Sequence, residues 1–141
     1  MPHPKFWSSE ILAAARAVMF AIVQDKTGCT VNPRTAKEIK NVDHWAVAYK
    51  KYEQRHNMRE FNLAAVAGYI WFYREILFPR DEVYVGVWLD EPNGVYYLDI
   101  STLHADEAHA IAIAVAEKQD CIVNLLSKIK IWTRRIDRKV A

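Results

Sequence analysis

Cysteine is scarce in this sequence: Cys29 and Cys121 stand 92 positions apart, with no CxxC and no second pair. That excludes a disulfide framework or a cysteine-built zinc site, and two reduced, partly buried thiols are expected. Glycine and proline are few as well, at four and five residues, and neither gathers into a linker or a low-complexity stretch. No glycine-rich loop occurs, which excludes nucleotide turnover of the P-loop or Rossmann kind. Long apolar runs are missing too. "ILAAARAVMFAIV" covers only 13 residues and is interrupted by Arg16, so neither a membrane span nor a signal peptide is expected and the location is expected to be cytoplasmic.

Core material, by contrast, is ample. The 141 residues are 52% apolar and 12% aromatic, enough for one domain over residues 1–141, and a chain of this size buries roughly two-thirds of the surface its unfolded form exposes. Flexible termini are expected at 1–7 and 134–141. The formal net charge is only +2, yet the positive residues cluster in "RTAKEIK", "KKYEQRH" and the tail "KIKIWTRRIDRK". Clustering of that kind matters more to an anionic partner than the net value does.

The first element is a helix over "SSEILAAARAVMFAIVQDKTG", capped by Ser8 or Ser9, closed by Gly28 and packed through Leu12, Ala15, Met19 and Ile22. "CTVNPRTAKEIKN" reads as a short extended piece and a polar loop. Residues 45–53 fit a strand better than a helix, because Trp45, Val47 and Tyr49 alternate. Asn57 with Glu60 predicts a capping box, and one helix from 58 to Pro79, apolar on nearly every side. Tyr69 and Tyr73 would give that helix a wet edge.

"VYVGVWLDEPNGVYYLDIS" (83–101) is a hairpin: two alternating runs flank a turn in which Gly94 is free to take positive φ. "ADEAHAIAIAVAEKQ" follows as a helix. "CIVNLL" and "KIKIW" close the chain as short strands, the second with Ile129 and Ile131 inward and Lys128 and Lys130 outward. The order α-β-β-α-β-β-α-β-β predicts an α+β fold, a mostly antiparallel sheet of five to six short strands packed with three helices.

Over residues 28–133 the pattern resembles a group of small accessory proteins of actinobacterial phages, prophages and conjugative elements, through Gly86, Trp88, Asp90, Gly94, Tyr97, Leu98, Asp99, Gln119 and Leu125. The long helix over 58–78 and the basic tail depart from that pattern. The resemblance brings no established activity or catalytic residue with it. It implies a protein of a mobile element.

Residues that invite chemistry read mostly as scaffold. His104 and His109 are five apart, about 140° around a helix, unlike the four-residue spacing that points two imidazoles at one metal. Asp106 suits the start of a helix, while Asp90 and Glu91 suit a turn. Asp99 and Ser101 end a strand, without the glycine elbow a strained nucleophile needs. Binding is therefore expected in place of catalysis, with no cofactor and no metal. The candidate binding residues are Lys128, Lys130, Trp132, Arg134 and Arg135 in the basic C-terminal stretch, with Trp88 and Tyr96 on the hairpin. Expected partners are a host protein, blocked as a counter-defence measure, or a captured small anionic ligand. The alternatives are a nucleic-acid-binding regulator using the basic tail and an enzyme of unrecognised type; a homodimer is compatible with either binding role, and no membrane contact is expected.

Overall fold

The structure, a computed structural model, describes residues 7–133. Seven strands form one antiparallel sheet: β1 (Gly28–Asn32), β2 (Lys37–Glu38), β3 (Trp45–Asn57), β4 (Tyr84–Asp90), β5 (Val95–His104), β6 (Ile122–Asn124) and β7 (Lys130–Ile131). Their spatial order is β2-β1-β4-β5-β3-β6-β7. The helices are α1 (Ser9–Gln24), α2 (Leu63–Phe72), the single turn α3 (Arg74–Leu77) and α4 (Glu107–Ala116). The class is α+β as expected, with more strands because "CTVNPRTAKEIKN" forms the β1–β2 hairpin instead of one extended piece and a loop.

Turn chemistry fixes which side chains share a face. Gly94 adopts φ +63°, Asn93 donates its amide to Asp90 (2.8 Å), and Asp90 pairs with Val95. Counting back from that turn sets Trp88 against Tyr97 and Gly86 against Asp99. Because side chains alternate along a strand, Val85, Val87, Tyr96, Leu98 and Ile100 all point to one face, where α1 and α2 cover them. Gly86, Trp88, Tyr97, Asp99 and Ser101 point to the other.

Helix α1 is capped by Ser8, whose hydroxyl accepts from the Ile11 amide (3.2 Å), and it buries Ile11, Ala14, Ala15, Val18, Ala21 and Ile22. The expected stripe is rotated: Leu12 and Met19 only border the core. The small alanines let α1 and α2 approach closely, and each fully buried aliphatic side chain contributes about 1.5–3 kcal/mol. Gly28 does not close α1; it opens β1, where a Cβ would lie 2.5 Å from the Val87 carbonyl oxygen. Trp7 packs into the core, contrary to the flexible end expected there.

The helix expected from 58 to Pro79 is shorter and broken. Asn57 caps a turn, its side chain accepting from the Arg59 and Glu60 amides, while Asn62 is the true N-cap, accepting from Ala65. Between them Phe61 drops into the core and stacks on Tyr96 with centroids 4.3 Å apart. At Tyr73 the helix stops, its ring held edge-on by Tyr52. Tyr69 is buried and not at a wet edge; it donates its hydroxyl to the Tyr52 carbonyl.

A second, smaller cluster forms where α4 lies on Trp45, Val47 and Ile122. Val47 pairs with Thr102 and Tyr49 with Ile100, so α4 covers the same face of the sheet as α1 and α2. Among the described elements, none of the helices α1–α4 lies on the opposite face. Strand β3 is longer than expected, reaching Asn57, and its register slips between Tyr49 and Gln54: five steps on β3 oppose two on β5. Such a bulge bends a strand sharply, and the sheet curls until β1 and β7 border one hollow. The last two strands are shorter than "CIVNLL" and "KIKIW" suggested. Asn124 accepts from the Leu126 and Ser127 amides in a tight turn, Lys128 adopts φ +65°, and Ile129 is exposed instead of inward.

Candidate functional site

The face of the curled sheet opposite α1, α2 and α4 holds a trough of about 400 Å³. That size falls within the usual range for small-molecule sites. Its floor is made of small side chains at alternate strand positions: Thr30 on β1, Gly86 on β4, Ser101 on β5, Ala46 and Ala48 on β3. Thr30 pairs with Gly86 and Ser101 with Ala48, so these positions form a continuous shallow patch. Larger residues there would fill the trough.

Asp99 lies at the centre of the floor, 4% exposed. Its Oδ1 accepts the Ser101 hydroxyl at 2.6 Å, and no other donor meets the carboxylate among the described residues. Gly86 makes the space: a Cβ there would sit 2.2 Å from Oδ1 and 2.7 Å from the Ser101 hydroxyl oxygen. Burial pushes the Asp99 acid up to about 6; the Ser101 bond opposes that shift, and nearby Glu53 adds to it. A buried carboxylate without an ion pair is costly, and four acceptor positions with one donor leave it under-satisfied.

One wall is an aromatic ladder across three strands. Trp88 and Tyr97 stack with ring planes 6° from parallel and centroids 4.2 Å apart, and the Arg55 guanidinium lies 5.2 Å from the Tyr97 ring centre. On its other side, Trp88 is paired with Gly28, which offers no side chain. The indole is 39% exposed. The bulge in β3 supplies Lys50 and Glu53, the latter 3.5 Å from Arg55. The far wall comes from the chain after α4 and from β7: Lys118, Gln119, Asp120, Cys121, Lys130 and Trp132. Gln119 carries a buried amide Nε2 that has no hydrogen-bond partner among the described residues.

Of the sequence-expected binding residues, Trp88, Lys130 and Trp132 come together around this trough. Tyr96 does not: as the neighbour of Tyr97 it points the other way, 6% exposed, donating its hydroxyl to the Lys26 carbonyl. Lys128 sits in the β6–β7 turn, away from the lining. Arg134 and Arg135 lie outside the described residues, as do the ends at 1–6 and 134–141. Asp90 and Glu91 keep their turn roles, Glu91 pairing with Lys26 at 3.0 Å. Asp106 is the N-cap of α4.

Asp99 and Ser101 were expected to be scaffold at a strand end; instead they form the polar floor of the trough. The available signal was the turn itself, since counting back from Gly94 places a glycine opposite a mid-strand carboxylate. His104 and His109 also differ from expectation. His104 ends β5, so the two rings meet across a strand-to-helix corner with centroids 5.2 Å apart. Burial, His109 and His44 hold His104 below its ordinary range. Among the described residues no group of three or more His, Cys, Asp or Glu is placed to hold a metal ion, and no helix is long and apolar enough to cross a membrane.

A second hollow of about 430 Å³, lined by Tyr49, Thr102 and Arg80 among others, has only exposed charged groups. No protein-family model matches the chain, and no curated protein or solved structure shows significant similarity to it.

Proposed function

We propose that this chain is a non-catalytic binding protein that captures a small anionic ligand in the trough of its sheet. The observation that carries this is Asp99, a buried acid given room by Gly86 and, among the described residues, one donor, the Ser101 hydroxyl. A fold that shelters such a group at the floor of a cavity of ligand size accepts a stability cost that a bound donor would offset. Lys50, Lys118 and Lys130 supply positive charge for the anionic part, and Trp88 and Trp132 supply flat apolar surface.

Catalysis is less well supported. Among the described residues no histidine lines the trough; burial raises the bordering Cys121 thiol, which keeps it protonated and weakly nucleophilic, and Cys29, paired with Val87, turns its thiol to the helix-covered face, where burial raises it too. In the mobile-element setting that the sequence pattern suggests, withholding a small signal or metabolite from a host enzyme is the corresponding role.

A thermal-shift screen of small metabolites against the full chain tests the proposal. Compounds that combine N–H donors with a phosphate or carboxylate should stabilise the wild type and leave Trp88→Ala unshifted. If no such compound shifts the wild type, capture in the trough is wrong.

A further inference from the structure

The unmet groups of the trough restrict the ligand. Asp99, ionised, only accepts, and one of its two oxygens already holds the Ser101 hydroxyl. Two adjacent N–H groups would meet both oxygens side by side, the geometry carboxylates favour. Gln119 Nε2 is the converse: a buried donor with no acceptor among the described residues, bordering the same cavity. Trp88 closes one side of its stack on Tyr97 but faces Gly28 on the other, so a planar ring can extend the stack. Lysines reach the trough from the β3 bulge, the turn after α4 and β7.

Building on the trough as a ligand site, we propose that it takes a guanine nucleotide. The guanine edge carries N1–H and the 2-amino group side by side, followed by carbonyl O6. That is two donors for Asp99 and an acceptor for the Gln119 amide, while the ring stacks on Trp88 and the phosphate meets the lysines. Other bases match less well. Adenine offers its 6-amino group beside a bare ring nitrogen that a carboxylate repels, and uracil flanks its single N–H with two carbonyls. Free guanidinium compounds share the paired N–H groups but lack the ring and the phosphate.

Titration calorimetry on the full chain, with GMP, IMP, AMP, guanosine, arginine and agmatine as probes, tests this. GMP should bind at least about tenfold more tightly than IMP, which lacks the 2-amino donor. AMP should bind more weakly still. Asp99→Asn, checked for folding by circular dichroism, should lose the preference for GMP over IMP, and Lys118→Ala should weaken GMP while leaving guanosine unchanged. Should Asp99→Asn not fold, the wild-type ligand series decides alone. AMP binding as tightly as GMP would overturn the assignment of the base. Arginine or agmatine matching GMP would overturn the ring and phosphate. If no nucleotide binds while the metabolite screen yields another ligand, the guanine assignment falls and capture in the trough stands; if both experiments are blank, both fall.

Discussion

At the scale of the residue, Asp99 is where stability and the proposed binding role conflict. Its acid is raised to about 6 from the ordinary 3.8 because burial penalises the charged form. Below about pH 4 the group is protonated in folded and unfolded chain alike and costs nothing through this shift. As pH rises to about 6 the unfolded chain releases its proton first, so stability falls; above that the penalty is complete, on the order of 3 kcal/mol. Asp99→Asn should therefore stabilise the protein by about 1–3 kcal/mol at pH 7.5 and by much less at pH 4. Urea denaturation at the two pH values measures it, and an equal effect at both would show that the carboxylate is not paying a burial penalty. The same residue shows what the sequence hides. Its charge, its hydroxyl neighbour and its place in a strand were legible, but its burial was not, because burial depends on a sheet curling over residues distant in the chain.

Among the elements, those fixed by local chemistry were the most legible. The β4–β5 hairpin was readable because its turn residues specify both dihedrals and register, and α1 because its cap and its alanines agree. The 58–78 region was not. Asn57 and Asn62 both carry a capping side chain, and the choice between them is made by Phe61, which is worth more in the core against Tyr96 than on the first turn of a helix. The β3 bulge was equally invisible, since "KKYEQRHN" is polar on both sides of the pleat and only pairing with β5 reveals the slip.

Lys118 shows a related conflict at the end of α4. It holds φ +56° while its amide bonds Val115 and the next amide bonds Ala114, a closure for which glycine is the usual residue. Lys118→Gly should raise stability by about 0.5–1 kcal/mol by relieving left-handed strain. It should also weaken an anionic ligand. Chemical denaturation and the calorimetry above read the two effects on one variant, and a loss of stability would contradict the strain.

For the molecule as a whole, among the described residues, the sheet is one-sided: α1, α2, α3 and α4 are layered on one face, and the other holds the trough. Two apolar clusters of unequal size hold this arrangement. The larger unites α1, α2, β1, β4 and β5; the smaller ties α4, β6 and β7 to the near end of β3. Opening free energies follow local packing. Amides of β6 and β7 should exchange with deuterium faster than those of β1, β4 and β5, and added ligand should slow the former most; uniform protection would place both clusters in one cooperative unit.

The trough thus spans the two clusters. Its aromatic wall and the Gly86–Asp99 part of its floor rest on the larger cluster, whereas Ala46, Ala48, Gln119, Lys130 and Trp132 lie at the end held by the smaller one. If the exchange experiment finds that end to be the softer, a captured ligand would enter when the corner swings away, and its own contacts with the corner would latch it shut. Uptake would level off at high guest concentration, at the pace of the swing, and escape would be slow in proportion to how many latching contacts the guest makes.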